Sequence, residues 1–331
     1  MSRAAGGIWA ALALVTAFLV RRVLQSAVVL VLISLLVFGF LWLLPGGPQQ
    51  AILAGAGSGA PLSALRHDYG IGSPAVVEYL HWLGQVTHGN LGYSYVENAS
   101  VGSLLAASLP RTLALTLTAT AIGMAVAIPA GLTQAVRKDT ASDRVGRALA
   151  YIGYGMPSFF LGSILILIFA VRLHWLGAEG PQAPGIAGVL TDWRDLTLPV
   201  LTLAVVTVAT FARYVRTAAI DSLGHDYVRT AKAGGAGPRA VLGRHVLRNS
   251  VIPVITLAGL SIPRILAGAL VVESLFNIQG MGWRLWQAAQ KHDFPVLIGF
   301  ILVIGAGAVV GSLLADAAYV IADPRIRHGR P

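Results

Sequence analysis

The apolar runs of this chain limit what it can fold into more than any motif does. Six stretches, Val23–Leu44, Thr112–Val136, Leu149–Val171, Leu196–Ala212, Ile252–Phe276 and Phe294–Ile321, are long and almost free of charge. A bilayer core about 30 Å thick is crossed by roughly 20 helical residues. Inside lipid the backbone N–H and C=O groups find no water, so each run must satisfy them within itself as a helix. The expectation is an all-α polytopic membrane protein with six transmembrane helices. Charged residues make up only 11% of the chain, against about 25% for a soluble domain.

The basic residues orient these spans. Arg137, Lys138, Arg144 and Arg147 crowd the connection between the second and third. Seven more, from Arg213 and Arg216 to Arg244 and Arg248, lie between the fourth and fifth. The connections on the other side hold only Arg66, Arg172, Arg194, Arg284 and Lys291. The positive-inside rule then puts both termini in the cytoplasm. Residues 1–21 form an N-terminal extension whose apolar part, 8–20, is too short to span. Arg21 and Arg22 follow it with no small-residue cleavage site between, so it is read as an uncleaved cytoplasmic or interfacial segment. Residues 45–109 form an external segment between spans one and two. Within it PAVVEYLHWLGQV reads as a helix burying Tyr79, Trp82 and Leu83.

Several function classes lose support. The net charge of +10 sits at span ends, with no basic face carrying stacking aromatics, so nucleic acid is not the expected partner. The absence of cysteine removes disulfides, thiolate metal sites and cysteine nucleophiles. No phosphate-binding loop and no HExxH-type metal spacing occurs. Ser158 stands in MPSFF without a nearby histidine or acid. No catalytic, cofactor-binding or metal-ligating residue is assigned.

The most informative stretch is the polar loop 213–252. Asp226 suits the N-cap of a short helix running to about Ala233, and Gly234, Gly235 and Gly237 break it. Pro238 suits the first position of a second helix, on which Leu242 and Val246 share one face and Arg244 and Arg248 another. A basic amphipathic helix of this kind also simply lies on membranes.

The segment DYVRTAKAGGAGPRAVLGRHVLRNSVIPVIT resembles the coupling loop of permease subunits of binding-protein-dependent ABC importers, in the version of the peptide/nickel subfamily. The EAA-x3-Gly pattern of that loop falls on Arg229, Thr230, Ala231 and Gly235, so its glutamate and first alanine are missing. The likeness extends from about Val20 through LPRTLALTLTATAIGMAVAIPAGLTQAVRKDTASDR, GYGMPSFFLGSILILIFAVRLHWL, VVESLFNIQGMGWRLWQAA and the terminal ADAAYVIADPRIR. It implies a permease domain over 22–331 in a bacterial inner membrane, importing peptides, or a nickel chelate, glutathione or heme in related systems. The implied partners are a homologous second permease, two ATPase subunits holding ATP and Mg, and an external substrate-binding protein. Asp226, Tyr227, Arg229, Thr230, Ala231 and Gly235 would meet an ATPase subunit.

A translocation path is assigned to the small and hydroxyl positions Thr207, Thr210 and Ser261, with Arg264 after Pro263 as an intramembrane cation. Close helix packing, or an arginine bonded to neighbouring carbonyls, accounts for the same residues. Asn277–Gly282 reads as an external turn or gate lid, and Asp323-Pro324-Arg325 as the stop of the last span. The alternative from another class is an ion-gradient-driven secondary transporter, for which Glu273 and Asp316 are the intramembrane acids.

Overall fold

The computed structural model describes residues 2–43, 74–94, 96–261 and 270–322. Helices dominate, and two compact units can be distinguished: 1–102 with 288–313, and 103–287 with 314–331.

In the first unit α1, Ser2–Leu43, runs without a break through Arg21 and Arg22. The extension and most of the first expected span are therefore one helix. α2, Ala75–Thr87, packs on it. Tyr79 is buried, its ring edge-on to Phe38 at 5.4 Å and its hydroxyl 2.8 Å from Ser34 Oγ. Trp82 and Leu83 are half-buried, and Glu78, which the pattern left out, is buried beside Tyr79. A small hairpin, β1 Tyr93–Ser94 and β2 Ala99–Ser100, is pinned where the buried Ser94 hydroxyl donates to Asp293. Asp293 immediately precedes α13, Phe294–Ala322. Burial pushes its carboxyl above the usual range.

In the second unit α3, Val101–Val136, and α7, Trp193–Gly224, are long and apolar enough to cross a membrane, as is α13. The stretch expected as one third span is two helices. α4, Ala141–Gly155, and α5, Ser158–Leu165, which continues as a π-helix to Arg172, meet at 101°. The cause is Met156-Pro157: proline has no N–H and pushes the residue before it out of the helical region, here to φ −77 and ψ 123. Hydropathy had joined the two arms into a single span. α6, Gly185–Thr191, precedes α7, and α8, Asp226–Ala233, follows it. A one-turn α9, Pro238–Ala240, leads through a π segment, Val241–Val246, into α10, Leu247–Leu260. α11, Leu270–Leu275, and α12, Met281–Gln290, complete the unit.

α7 is the axis of this unit. α3 crosses it where a Cβ on Gly123 would lie 2.6 Å from Thr207 Cβ, and one on Gly131 2.7 Å from both the Ala212 carbonyl and Val215 Cβ. Such approaches let the two backbones close to a distance that any side chain would prevent.

Candidate functional site

α8 carries the pattern that the sequence singled out. Its N-cap is His225, in extended conformation, and Asp226 is the first helical residue without a capping bond, so the cap falls one residue earlier than the reading of Asp226 placed it. The carboxylate still meets the positive end of the helix dipole. Val228 is completely buried among Ala135, Ala219, Val241 and Val246. The opposite face is open: the side chains of Asp226 and Arg229 are 94% and 77% exposed and 3.4 Å apart. A pair so exposed contributes about 0–1 kcal/mol and leaves both groups free to exchange partners. Tyr227 stacks on His225 at 5.5 Å, and the Thr230 hydroxyl donates to the Asp226 carbonyl at 3.0 Å.

The helix ends on a single positive-φ residue. Gly235 stands at φ +80, and the following Ala236 N–H donates 3.0 Å to the Ala231 carbonyl. Of the three glycines expected to break the helix only this one takes the left-handed turn, since Gly234 and Gly237 have φ −77 and −66. Pro238 occupies the first turn of α9, as its missing donor favours. The next turns differ from expectation. The buried pair is Val241 and Val246, five residues apart, while Leu242 is half-buried and Arg244 and Arg248 are exposed. The π geometry explains the wider spacing, because its hydrogen bonds span five residues instead of four.

Farther along α7, a buried carboxylate joins three pieces of chain. Asp143, in the first turn of α4, accepts from Arg216 Nε at 2.7 Å and Nη2 at 2.8 Å, and from the Asp139 N–H at 3.0 Å. Arg147 Nε stands 3.7 Å away. The Asp143 side chain is fully covered and that of Arg216 is 15% exposed. The paired bonds from Arg216 hold the carboxyl down to about 2, against the opposing effect of burial. A folded value this far below the ordinary one near 3.9 gives stabilisation that is fully present above the ordinary value. It is lost only as pH falls through about 2. One turn earlier on α7, the Arg213 guanidinium lies 4.2 Å from the Tyr154 ring and 5.7 Å from that of Tyr151, both on α4. In the sequence, Arg213, Arg216 and Arg147 read only as orienting charges at span ends.

The opposite end of the second unit is organised by Glu273. This fully buried carboxylate accepts from Thr112 Oγ1 at 2.7 Å and from the Trp283 N–H at 3.0 Å. Thr112 Oγ1 in turn accepts from the Met281 N–H at 2.7 Å, and Arg284 Nε donates to Ser108 Oγ at 2.6 Å. The turn 277–282 is thereby bound to α3. A second strand of loop lies over it: Gly180 N–H donates to the Phe276 carbonyl at 2.6 Å, and Gln182 Nε2 to that of Asn277 at 3.0 Å. Glu273 therefore anchors a turn, a role that its reading as an intramembrane ion site did not contain. The signal available was the pair of glycines, Gly280 and Gly282, placed seven and nine residues after an acid in an apolar run.

The hydroxyls assigned to a path are bonded within their own helices. Thr207 donates to Leu203, Thr210 to Val206 and Ser261 to Leu257, at 2.9, 2.9 and 2.8 Å. All three are half-buried, and Thr207 faces Gly123 of α3. Arg264, Pro263 and the terminal Asp323–Arg327 lie outside the described residues, as does the whole stretch from 45 to 73. Among the described residues no group of three or more His, Asp or Glu is placed to hold a metal ion.

Residues 127–328 match the family described as the binding-protein-dependent transport system inner membrane component. Residues 15–116 match its N-terminal companion. A putative peptide permease protein of Brucella ovis is 37% identical over 314 residues, 94% of this chain and 98% of its own length. The oligopeptide transport system permease protein AppB of Bacillus subtilis is 35% identical, covering 94% and 99%. Among solved structures, a chain of the inward-facing MetNI methionine ABC transporter matches with a TM-score of 0.51 at 16% identity, over 64% of this chain and 93% of that one. The shared fold, the membrane-length helices and the match across most of the chain lead to one assignment: this chain belongs to the inner-membrane permease components of binding-protein-dependent ABC transport systems.

Proposed function

We propose that the chain is one of two homologous permease subunits of an ATP-driven importer of peptides. Both of its termini face the cytoplasm, and α8 docks on a separate ATPase subunit that binds ATP and Mg. An external substrate-binding protein delivers the cargo. The observation that carries this reading is the build of α8: one fully buried anchor, Val228, and an exposed polar face formed by Asp226, Arg229 and Thr230. A helix meant only to lie on lipid would turn an apolar face outward. The names of the relatives, peptide permease and oligopeptide permease, support the choice of cargo.

Gly235→Val tests the docking. No atom lies within 4 Å of the position its Cβ would take, so the change acts on backbone conformation alone. A left-handed φ costs a non-glycine residue about 1–2 kcal/mol, more when it is β-branched. Co-purification of the ATPase subunits and binding-protein-stimulated ATP hydrolysis are both expected to fall several-fold, with the isolated subunit still folded. Unchanged values of both would end the docking proposal.

Within the same reading, Thr207, Thr210, Ser261 and Arg264 border the translocation path. Single cysteines can be introduced into a chain that has none. A water-soluble thiol reagent is expected to label positions 210 and 261 faster than 207, which packs against Gly123. Arg264→Met is expected to slow import of peptides with a free terminal carboxylate more than of amidated ones, since a guanidinium holds carboxylates by paired bonds. Uniform protection along both helices, or equal loss for both kinds of peptide, would refute the assignment.

A further inference from the structure

We propose that Asp143 and Arg216 are positioning residues for energy coupling: together they lock α4 to α7, so that displacement of α8 is passed on to the bent pair α4–α5. The proposal rests on the reading of α8 as the ATPase contact.

The geometry behind it begins with α7, which runs as one helix to Gly224, with only His225 separating it from α8. Val228 sits in a common core with Ala219 of α7 and Ala135 of α3, so α8 is held to α7 by packing as well as by the chain. Arg216 lies eight residues before the end of α7, roughly 12 Å along its axis at 1.5 Å per residue. There its planar fork grips a carboxylate on another helix.

From that point α4 runs antiparallel along α7. Asp143 faces Arg216, and ten residues later a Cβ on Gly153 would meet Ala209 at 3.2 Å. At Gly153 the contact itself is apolar, and such packing alone would let the helices slide by small steps. The Asp143 end cannot slide cheaply. Both carboxylate oxygens are engaged, the group is fully covered, and a shift of about 1 Å would leave a buried charge without its partner. The Asp139 N–H, in a turn held at φ 65, fixes the same carboxylate to the connection from α3. Arg213, stacked on Tyr154 and Tyr151, holds α4 to α7 a second time, nearer the Gly153 end. The two arginines thus turn α7 and α4 into one lever. α5 swings from its far end across the 101° bend.

The test uses the complete complex in lipid, with spin labels on Ala148→Cys of α4 and Thr217→Cys of α7, both exposed positions. The distance between them is measured without nucleotide and with ATP trapped, beside ATP hydrolysis and import of a labelled tripeptide. In the otherwise unchanged protein the distance is expected to stay constant through the cycle. In Asp143→Asn and in Arg216→Lys, which keeps the charge and loses the fork, it is expected to change with nucleotide. ATP consumed per peptide imported should then rise within the 5–150-fold range typical of coupling between sites. A distance that changes in the unmodified protein overturns the proposal, even if Asp143→Asn fails to assemble. Assembled variants with an unchanged ATP-to-peptide ratio overturn it as well. A complex whose ATPase co-purification and ATP hydrolysis both ignore Gly235→Val instead removes the underlying reading of α8, an outcome separable from both.

Discussion

Gly280→Val is expected to abolish accumulation of the folded subunit, although a single side chain grows by only three carbons. Its Cβ would fall 2.5 Å from the carboxylate carbon and both oxygens of Glu273. The carboxylate cannot move aside without giving up Thr112 Oγ1 and the Trp283 N–H. Each buried polar group left without a partner costs about 1–3 kcal/mol, and at least three are involved. Movement of the turn is blocked too, since a Cβ on the neighbouring Gly282 would already touch Leu270 Cα at 2.5 Å. Glu273→Ala should be severe for the complementary reason, leaving Thr112 and Trp283 unsatisfied around a cavity. Glu273→Gln, which keeps shape and one acceptor, should be milder. Membrane-fraction yield and the melting temperature of the detergent-solubilised protein measure all three. Wild-type yield and melting temperature for Gly280→Val would show that the turn is not built around the carboxylate.

Gly131→Ala should show the second large effect, with a sign opposite to helix propensity. In an exposed helix this change stabilises by about 1 kcal/mol. Here the added methyl would meet the Ala212 carbonyl and Val215 Cβ at 2.7 Å, and one of the two is rigid helix backbone. Overpacking of a close contact costs about 1–3 kcal/mol, so the net change should be destabilising. Gly102→Ala serves as the control: it lies near the start of the same helix, with no atom within 4 Å of the added Cβ. The melting temperature should fall for position 131 and hold or rise for 102. Equal shifts at both would mean that α3 and α7 do not approach as closely as described.

The sequence showed the membrane class, the extent of α8 and the start of α9 because each rests on local chemistry. Charge-free runs report depth in a bilayer, and Gly235 and Pro238 mark a helix end and a helix start whatever surrounds them. Direction was less visible. The run from Leu149 to Val171 is apolar throughout, and hydropathy is the same for a straight helix and for one turned by 101°. Pro157 marks the place of the turn but not its angle. The two carboxylates that hold the second unit together were hidden for another reason. Asp143 finds its partner 73 residues away, and Glu273 reaches Thr112 at a separation of 161. No periodicity links such positions: Asp143 stands in a loop crowded with basic residues, and Glu273 already has a reading as an intramembrane acid.

The π segment Val241–Val246 bears on how this stretch tolerates change over evolutionary time. An α-helix advances about 100° per residue, and a π turn absorbs one extra residue without shifting the faces on either side of it. The burial of Val241 together with Val246 and the direction in which α10 leaves both depend on that extra residue. The exposed Gly243 and Arg244 are thus free to drift in identity, whereas the loss or gain of one residue among them would rotate every later side chain of α10 about its axis. Length, more than composition, is what selection has to guard between Pro238 and Leu260.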